Sequence, residues 1–256
     1  MTKVLYVMGF GRSGSTILDN LLNEVEGFVS TGELHNLFRR GLLRGQACGC
    51  SKPVPTCEFW RSVLAREVDG VSLDADDPSE ILSWQEQMLR PRHTRRLLRF
   101  SRHSERPPAL ERYSEVLRRL YLAVAEAAEA RVVVDSSKWP SPAALLPALD
   151  GIDAHLIHLV RDPRAVAFSR RRVKAGLDHE MRRRSAPYIS LRWVQRDAQA
   201  RRVLDRYPPE RRMTLLYEDF AASPRSTVER VVAFVGENGN TSFLDERRAH
   251  LAGNHT

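Results

Sequence analysis

Val4-Leu5-Tyr6-Val7-Met8-Gly9-Phe10-Gly11-Arg12-Ser13-Gly14-Ser15-Thr16 is the stretch on which the fold turns. Val4 to Met8 is a short apolar run closed by a glycine, and from Thr16 to Leu22 apolar residues recur at helical spacing. The stretch therefore reads as strand, tight turn and helix. At such a junction the unpaired backbone N–H groups and the helix dipole attract an anion. Gly9, Gly11 and Gly14 interleaved with Arg12, Ser13, Ser15 and Thr16 carry more chemistry than a turn built for packing alone requires.

Working outward, further strands are expected at residues 28–30, 132–134, 156–160 and 213–216, with helical patterns between them. That alternation implies one α/β domain over residues 1–256, a central parallel sheet flanked by helices. Ser141-Pro142, Asp162-Pro163 and Ser223-Pro224 each set a capping side chain before a proline suited to a first helical turn. Residues 61–130 read as long polar helices inserted between strands. Within them Tyr113, Val116, Leu117, Leu120, Tyr121 and Val124 form one apolar stripe, read as core contact. Residues 92–106 are rich in arginine and read as a surface segment.

The bulk composition bounds the partners. With 256 residues, 42% hydrophobic and 28% charged, the chain is an ordinary globular protein. Its N-terminal residues show neither a cleavable signal nor a span-length apolar run, so a cytoplasmic protein without stable membrane insertion is expected. A net charge of +8 favours a polyanionic partner: nucleic acid, a membrane surface or a highly phosphorylated small molecule. Cys48, Cys50 and Cys57 are the only cysteines. Their odd number argues against a disulfide framework, and no fourth ligand at a convincing spacing accompanies them, so a packing role and no metal are expected.

The glycine loop satisfies two patterns. Gly9, Gly11 and Gly14 fit the dinucleotide fingerprint, and Glu33, about twenty residues on, stands where an acidic residue would hold a ribose. Residues 9–16 also fit the nucleoside-triphosphate loop, except that Ser15 replaces its lysine, which leaves Arg12 to supply the cation. An ordinary ATPase or GTPase is thereby disfavoured. A dinucleotide-dependent oxidoreductase remains the alternative, although an arginine among hydroxyls suits a dianionic end group better. A second anion site is expected where the strand at 156–160 ends in Arg161, with Ser169 on the following helix. Arg164 and residues 170–172 are read as a solvated face. The basic run 170–184 also offers a nucleic-acid-binding reading, but no nucleic-acid fold accompanies it, so no nucleic-acid partner is expected.

Taken together, Gly11-Arg12-Ser13-Gly14-Ser15-Thr16 and Leu159-Val160-Arg161-Asp162-Pro163-Arg164 with Ser169 resemble the sulfotransferases that use 3′-phosphoadenosine-5′-phosphosulfate (PAPS). Thr31-Gly32-Glu33-Leu34, the cysteine segment with Glu58-Phe59-Trp60, Asp135-Ser136-Ser137-Lys138 and Leu216-Tyr217-Glu218-Asp219-Phe220 follow in that family's order. The resemblance implies a P-loop-like architecture. It implies that Gly11, Arg12, Ser13, Gly14, Ser15 and Thr16 clasp the 5′-phosphosulfate and that Arg161 and Ser169 hold the 3′-phosphate. It implies further that Glu33 is the general base, with His35 as fallback, and that Lys138, assisted by Ser137, faces the bridging oxygen. Tyr217 would contact the adenine or the acceptor. The implied acceptor is a hydroxyl or amine on a small molecule, carbohydrate or lipid, with its pocket shaped by residues 61–130 and the basic loop after Ser169. Glu33 is expected at the end of a strand beside the first. Many relatives continue past a Gly-Asn pair into a basic stretch, whereas Gly253-Asn254 is followed here by His255 and Thr256 alone.

Overall fold

The structure is a computed structural model, and it describes residues 1–101, 103–171 and 185–245. Five strands form one wholly parallel sheet: β1 (Thr2–Gly9), β2 (Phe28–Ser30), β5 (Val132–Lys138), β6 (Ile152–Val160) and β7 (Arg212–Leu216), in the order β2-β5-β1-β6-β7. A short antiparallel hairpin, β3 (Glu67–Val68) with β4 (Val71–Ser72), lies apart from it. β1 is the middle strand, and Val4 to Met8 are fully buried because helices cover both faces. Successive residues alternate between the faces. Val4, Tyr6 and Met8 join the core with α5 (Pro108–Ala127), α6 (Pro140–Leu145) and α8 (Ala186–Leu204). Leu5 and Val7 join the core of α1 (Ser15–Asn23) and α10 (Pro224–Phe234).

Residues 61–130 hold the end of α2 (Glu58–Leu64), then α3 (Pro78–Met88), α4 (Thr94–Leu97) and α5. All six residues of the apolar stripe on α5 are buried, as its spacing requires. The arginine-rich segment packs more closely than expected: Thr94 and Leu97 are buried in α4, and Arg106 donates to the Ala148 carbonyl. At the helix starts, Asp162 caps α7 (Pro163–Arg171) by accepting from the Arg164 N–H at 2.7 Å. Ser223 precedes α10 without a side-chain cap bond. Ser141 is no cap at all; α6 begins at Pro140, and the Ser141 hydroxyl donates to the Leu89 carbonyl.

Two strand positions bear on the site. β5 runs on past Val134 to Lys138 with a bulge, since Tyr6 pairs with Asp135 while Met8 pairs with Lys138, leaving one extra residue on β5. β2 is the sheet edge and pairs with β5, so Glu33 follows a strand separated from β1 by β5, not adjoining it. Among the described residues no helix is long and apolar enough to cross a membrane.

Candidate active site at the strand tips

The loop from β1 to α1 is shaped by two left-handed residues, Arg12 (φ 75°) and Gly14 (φ 86°). Gly14 tolerates no side chain, because a Cβ there would stand 2.5 Å from Cδ2 of Tyr217. At Gly11 a Cβ would stand 2.9 Å from Nη2 of Arg170. The loop is thus walled by Tyr217, which opens α9 (Tyr217–Ala222) after β7, and by Arg170 of α7. Ser13 and Ser15 are buried, Thr16 is exposed, and no side chain caps the α1 N-terminus.

The second expected anion site meets this loop directly. Arg12 Nε donates to Ser169 Oγ at 3.1 Å, and Arg161 Nη1 donates to the Arg12 carbonyl at 2.7 Å. The Arg161 guanidinium lies over the Tyr217 ring, 4.1 Å from its centroid. Ser13 Oγ, Arg161 Nε and Arg170 Nε are buried without a protein partner. Burial, together with the neighbouring Arg12, lowers the pKa of Arg170. The basin is therefore rich in donors and cations. Arg170 corrects the sequence reading, for it is no solvated residue: its guanidinium covers the Phe10 ring at 4.7 Å. Arg164 is solvated as expected and pairs with Asp162. Residues 172–184 of the basic run, and Gly253-Asn254, lie outside the described residues.

Glu33 and Lys138 come together at the tip of β5. Lys138 Nζ bonds Glu33 Oε1, and Asn36 Nδ2 donates to Oε2 at 2.7 Å. The Glu33 side chain is 39% exposed and that of Lys138 13%, so the carboxylate remains reachable beside a largely covered ammonium. Lys138 reaches it through a left-handed backbone, φ 70°, at the bulge. His35 is held differently. Its Nδ1 lies 2.6 Å from Gln85 Nε2, its N–H donates to Ser137 Oγ, and burial followed by the charge of Arg39 lowers its pKa to about 4. Ser137 thus positions the His35 backbone, and no bond joins its hydroxyl to Lys138.

Sequence reasoning missed Arg170 and Arg196. Arg196 of α8 lies over the Trp139 ring at 3.6 Å, and burial pushes its guanidinium down to about 10. A signal was present: Arg192 and Arg196 are a like-charged i,i+4 pair, unfavourable on a helix unless one member has another use. Beside Glu33 opens a cavity of about 160 Å³, walled by Leu37, Arg40, Val54 and Trp60 among others, all of them from residues 31–60. None of the described residues of 61–130 lines this cavity; from that region Gln85 donates to the His35 carbonyl.

Sheet order, glycine loop and the joined strand tips define a P-loop-like α/β protein. A model of the Sulfotransferase family matches residues 5–240, and the chain belongs to that family. No curated protein matches it. Among solved structures it is similar to the sulfotransferase domain from the curacin biosynthetic pathway, with a TM-score of 0.51 and 16% identity over 98% of this chain and 89% of that one. It is also similar to a sulfotransferase from Mycobacterium tuberculosis H37Rv, with a TM-score of 0.50 and 14% identity over 93% of this chain and 68% of that one. At these identities the likeness is one of fold.

Proposed function

We propose that the protein transfers a sulfuryl group from PAPS to a hydroxyl or amine of a small acceptor, with Glu33 as general base. The observation that carries this reading is the contact of Arg12 with both Ser169 and Arg161, which merges two anion cradles into one basin. A donor with phosphate at one end and phosphosulfate at the other needs such a pair. The unpartnered donors Ser13 Oγ, Arg161 Nε and Arg170 Nε, and the glycines that leave room at the loop, suit it.

Arg12, Ser13, Ser15, Thr16 and the α1 N-terminus would grip the phosphosulfate, and Arg161 with Ser169 the 3′-phosphate, while Tyr217 backs Arg161. Glu33 takes the proton of the acceptor as its oxygen or nitrogen attacks sulfur in line with the leaving phosphate. The sulfur–oxygen bond to that phosphate then breaks, and its electron pair stays on the phosphate, where Arg12, Lys138 and the helix dipole meet the charge. The Arg12 cation takes the place of the lysine of nucleoside-triphosphate loops. A cavity of about 160 Å³ is below the usual size for a drug-sized ligand, roughly 300–1,000 Å³. It would take the reactive end of an acceptor whose remainder lies outside.

Adenosine 3′,5′-bisphosphate, the product nucleotide, tests the basin without any knowledge of the acceptor. At about 100 times its Kd it stabilises the native state by about 2.7 kcal/mol, a rise in Tm of about 5–10 °C for a domain of this size. Arg161→Ala should weaken it by about 10- to 100-fold, the value of a charged hydrogen bond. A wild-type melting curve that the bisphosphate leaves unmoved, while a nicotinamide dinucleotide raises it, would return the loop to the oxidoreductase reading.

A further inference from the structure

The three cysteines lie outside the basin, and the sequence supplies no obvious fourth ligand for them. The fold nevertheless closes them on one point. Cys50 Sγ is 3.5 Å from Cys57 Sγ, Cys57 Sγ is 3.7 Å from Cys48 Sγ, and all three sulfurs lie within 4.8 Å of one another. None of them is in a disulfide. A tetrahedral zinc ion with arms of about 2.3 Å separates its sulfur ligands by about 3.8 Å. Two of the three edges therefore already have nearly the length that such an ion imposes.

We propose that Cys48, Cys50 and Cys57 bind a structural Zn2+ ion, the fourth position being open to solvent on the exposed side of Cys50. The turn that carries them is held by its own backbone bonds. Cys48 N–H donates to the Lys52 carbonyl, Ser51 N–H to the Cys48 carbonyl, and Ser51 adopts φ 69°, which folds the chain back on itself. Three soft thiolates select zinc over the hard cations. Binding releases the thiol protons to solvent and involves no change of oxidation state.

The location gives the ion a task. Gln46 and Ala47 precede Cys48, Val54 lies between Cys50 and Cys57, and Trp60 follows on α2; all four line the cavity beside Glu33. Zinc would tie the two ends of that wall together.

The test is metal uptake by the full chain under reducing conditions. Protein purified without chelator should carry about one zinc per chain by mass spectrometry. After chelator treatment, added Co2+ should give the near-ultraviolet thiolate-to-cobalt band and the visible bands of a tetrahedral site. Added Zn2+ should bleach those bands and raise the Tm. Cys50→Ser, an exposed substitution that leaves the core untouched, should weaken Zn2+ at least tenfold while circular dichroism stays unchanged; Cys57→Ser should do the same, with some loss of fold. The proposal is overturned if the reduced protein takes up neither ion, or if Cys50→Ser binds both as tightly as the wild type. A disulfide between two of these cysteines in protein isolated without reductant would overturn it equally. None of these readouts depends on sulfuryl transfer.

Discussion

Arg12 and Lys138 hold φ values of 75° and 70°, a conformation that costs a residue with a side chain about 1–2 kcal/mol. Both stand at strand tips, and each aims a cation where the proposed chemistry needs one. Lys138 meets Glu33, and this pair rather than His35 has the geometry of a base beside a charge stabiliser. Glu33→Gln is expected to lower kcat by about 10²- to 10⁴-fold and to leave the Kd of adenosine 3′,5′-bisphosphate unchanged, measured by calorimetry alongside turnover. Wild-type turnover in this variant would remove Glu33 from the reaction. The His35 pKa near 4 places its titration below the neutral range. His35→Asn should therefore leave the acid limb of the pH profile of kcat/KM where it was, and a displaced limb would pass the base role to His35. Glu33 was legible in the sequence from its place after a strand; its partner was not, because 105 residues separate Glu33 from Lys138.

At the scale of the element, β5 shows how buried polar residues make a strand that pattern alone would end early. Asp135, Ser136 and Ser137 are poor strand formers, so the apolar run 132–134 marked only half of β5. Tyr121 OH donates to Asp135 Oδ2 at 2.6 Å, Ser137 N–H to Asp135 Oδ1 at 2.8 Å, and Ser136 N–H to the Gly32 carbonyl. Tyr121 comes from α5 and Gly32 from the turn after β2, which a local window does not contain. Burial raises the Asp135 pKa from 3.8 to about 6. The folded state thus keeps a proton that the unfolded chain has lost. The resulting stability is present in full below the unfolded value and disappears as pH rises through about 6. The stability difference between wild type and Asp135→Asn should accordingly change by about 2 kcal/mol between pH 4 and pH 6.5, and denaturant titrations across that range measure it. His158, lowered to about 4 chiefly by burial, acts in the opposite direction, since its contribution is present above about 6.5 and is lost as pH falls. The difference between the two proteins isolates Asp135. An invariant difference would mean that Asp135 titrates alike in both states.

Over the whole molecule, the order β2-β5-β1-β6-β7 sends the chain to one side after β1 and to the other after β6. The crevice between those two strands is the switch point where open α/β sheets bind ligands. Arg12 and Arg161 meet there, and the bond from Arg12 to Ser169 spans 157 residues of chain. Residues in direct contact couple by about 0.5–3 kcal/mol, so Arg12→Ala and Ser169→Ala should combine non-additively in the Kd of the bisphosphate. Strict additivity would mean that the two tips bind separate ligands. The strand–glycine-loop–helix unit, the parallel α/β class and the presence of arginines, hydroxyls and an acidic residue at strand ends were all readable from the chain alone, because each is written in neighbouring residues through apolar period, glycine placement and charge. It took the folded arrangement to bring Arg12 against Ser169 and Arg161, to turn Arg170 and Arg196 inward, to pair Glu33 with Lys138 and to draw three cysteines together. Those outcomes depend on which strand tips and helix faces the crossovers bring together, and distances across a sheet are not encoded in any local stretch of chain.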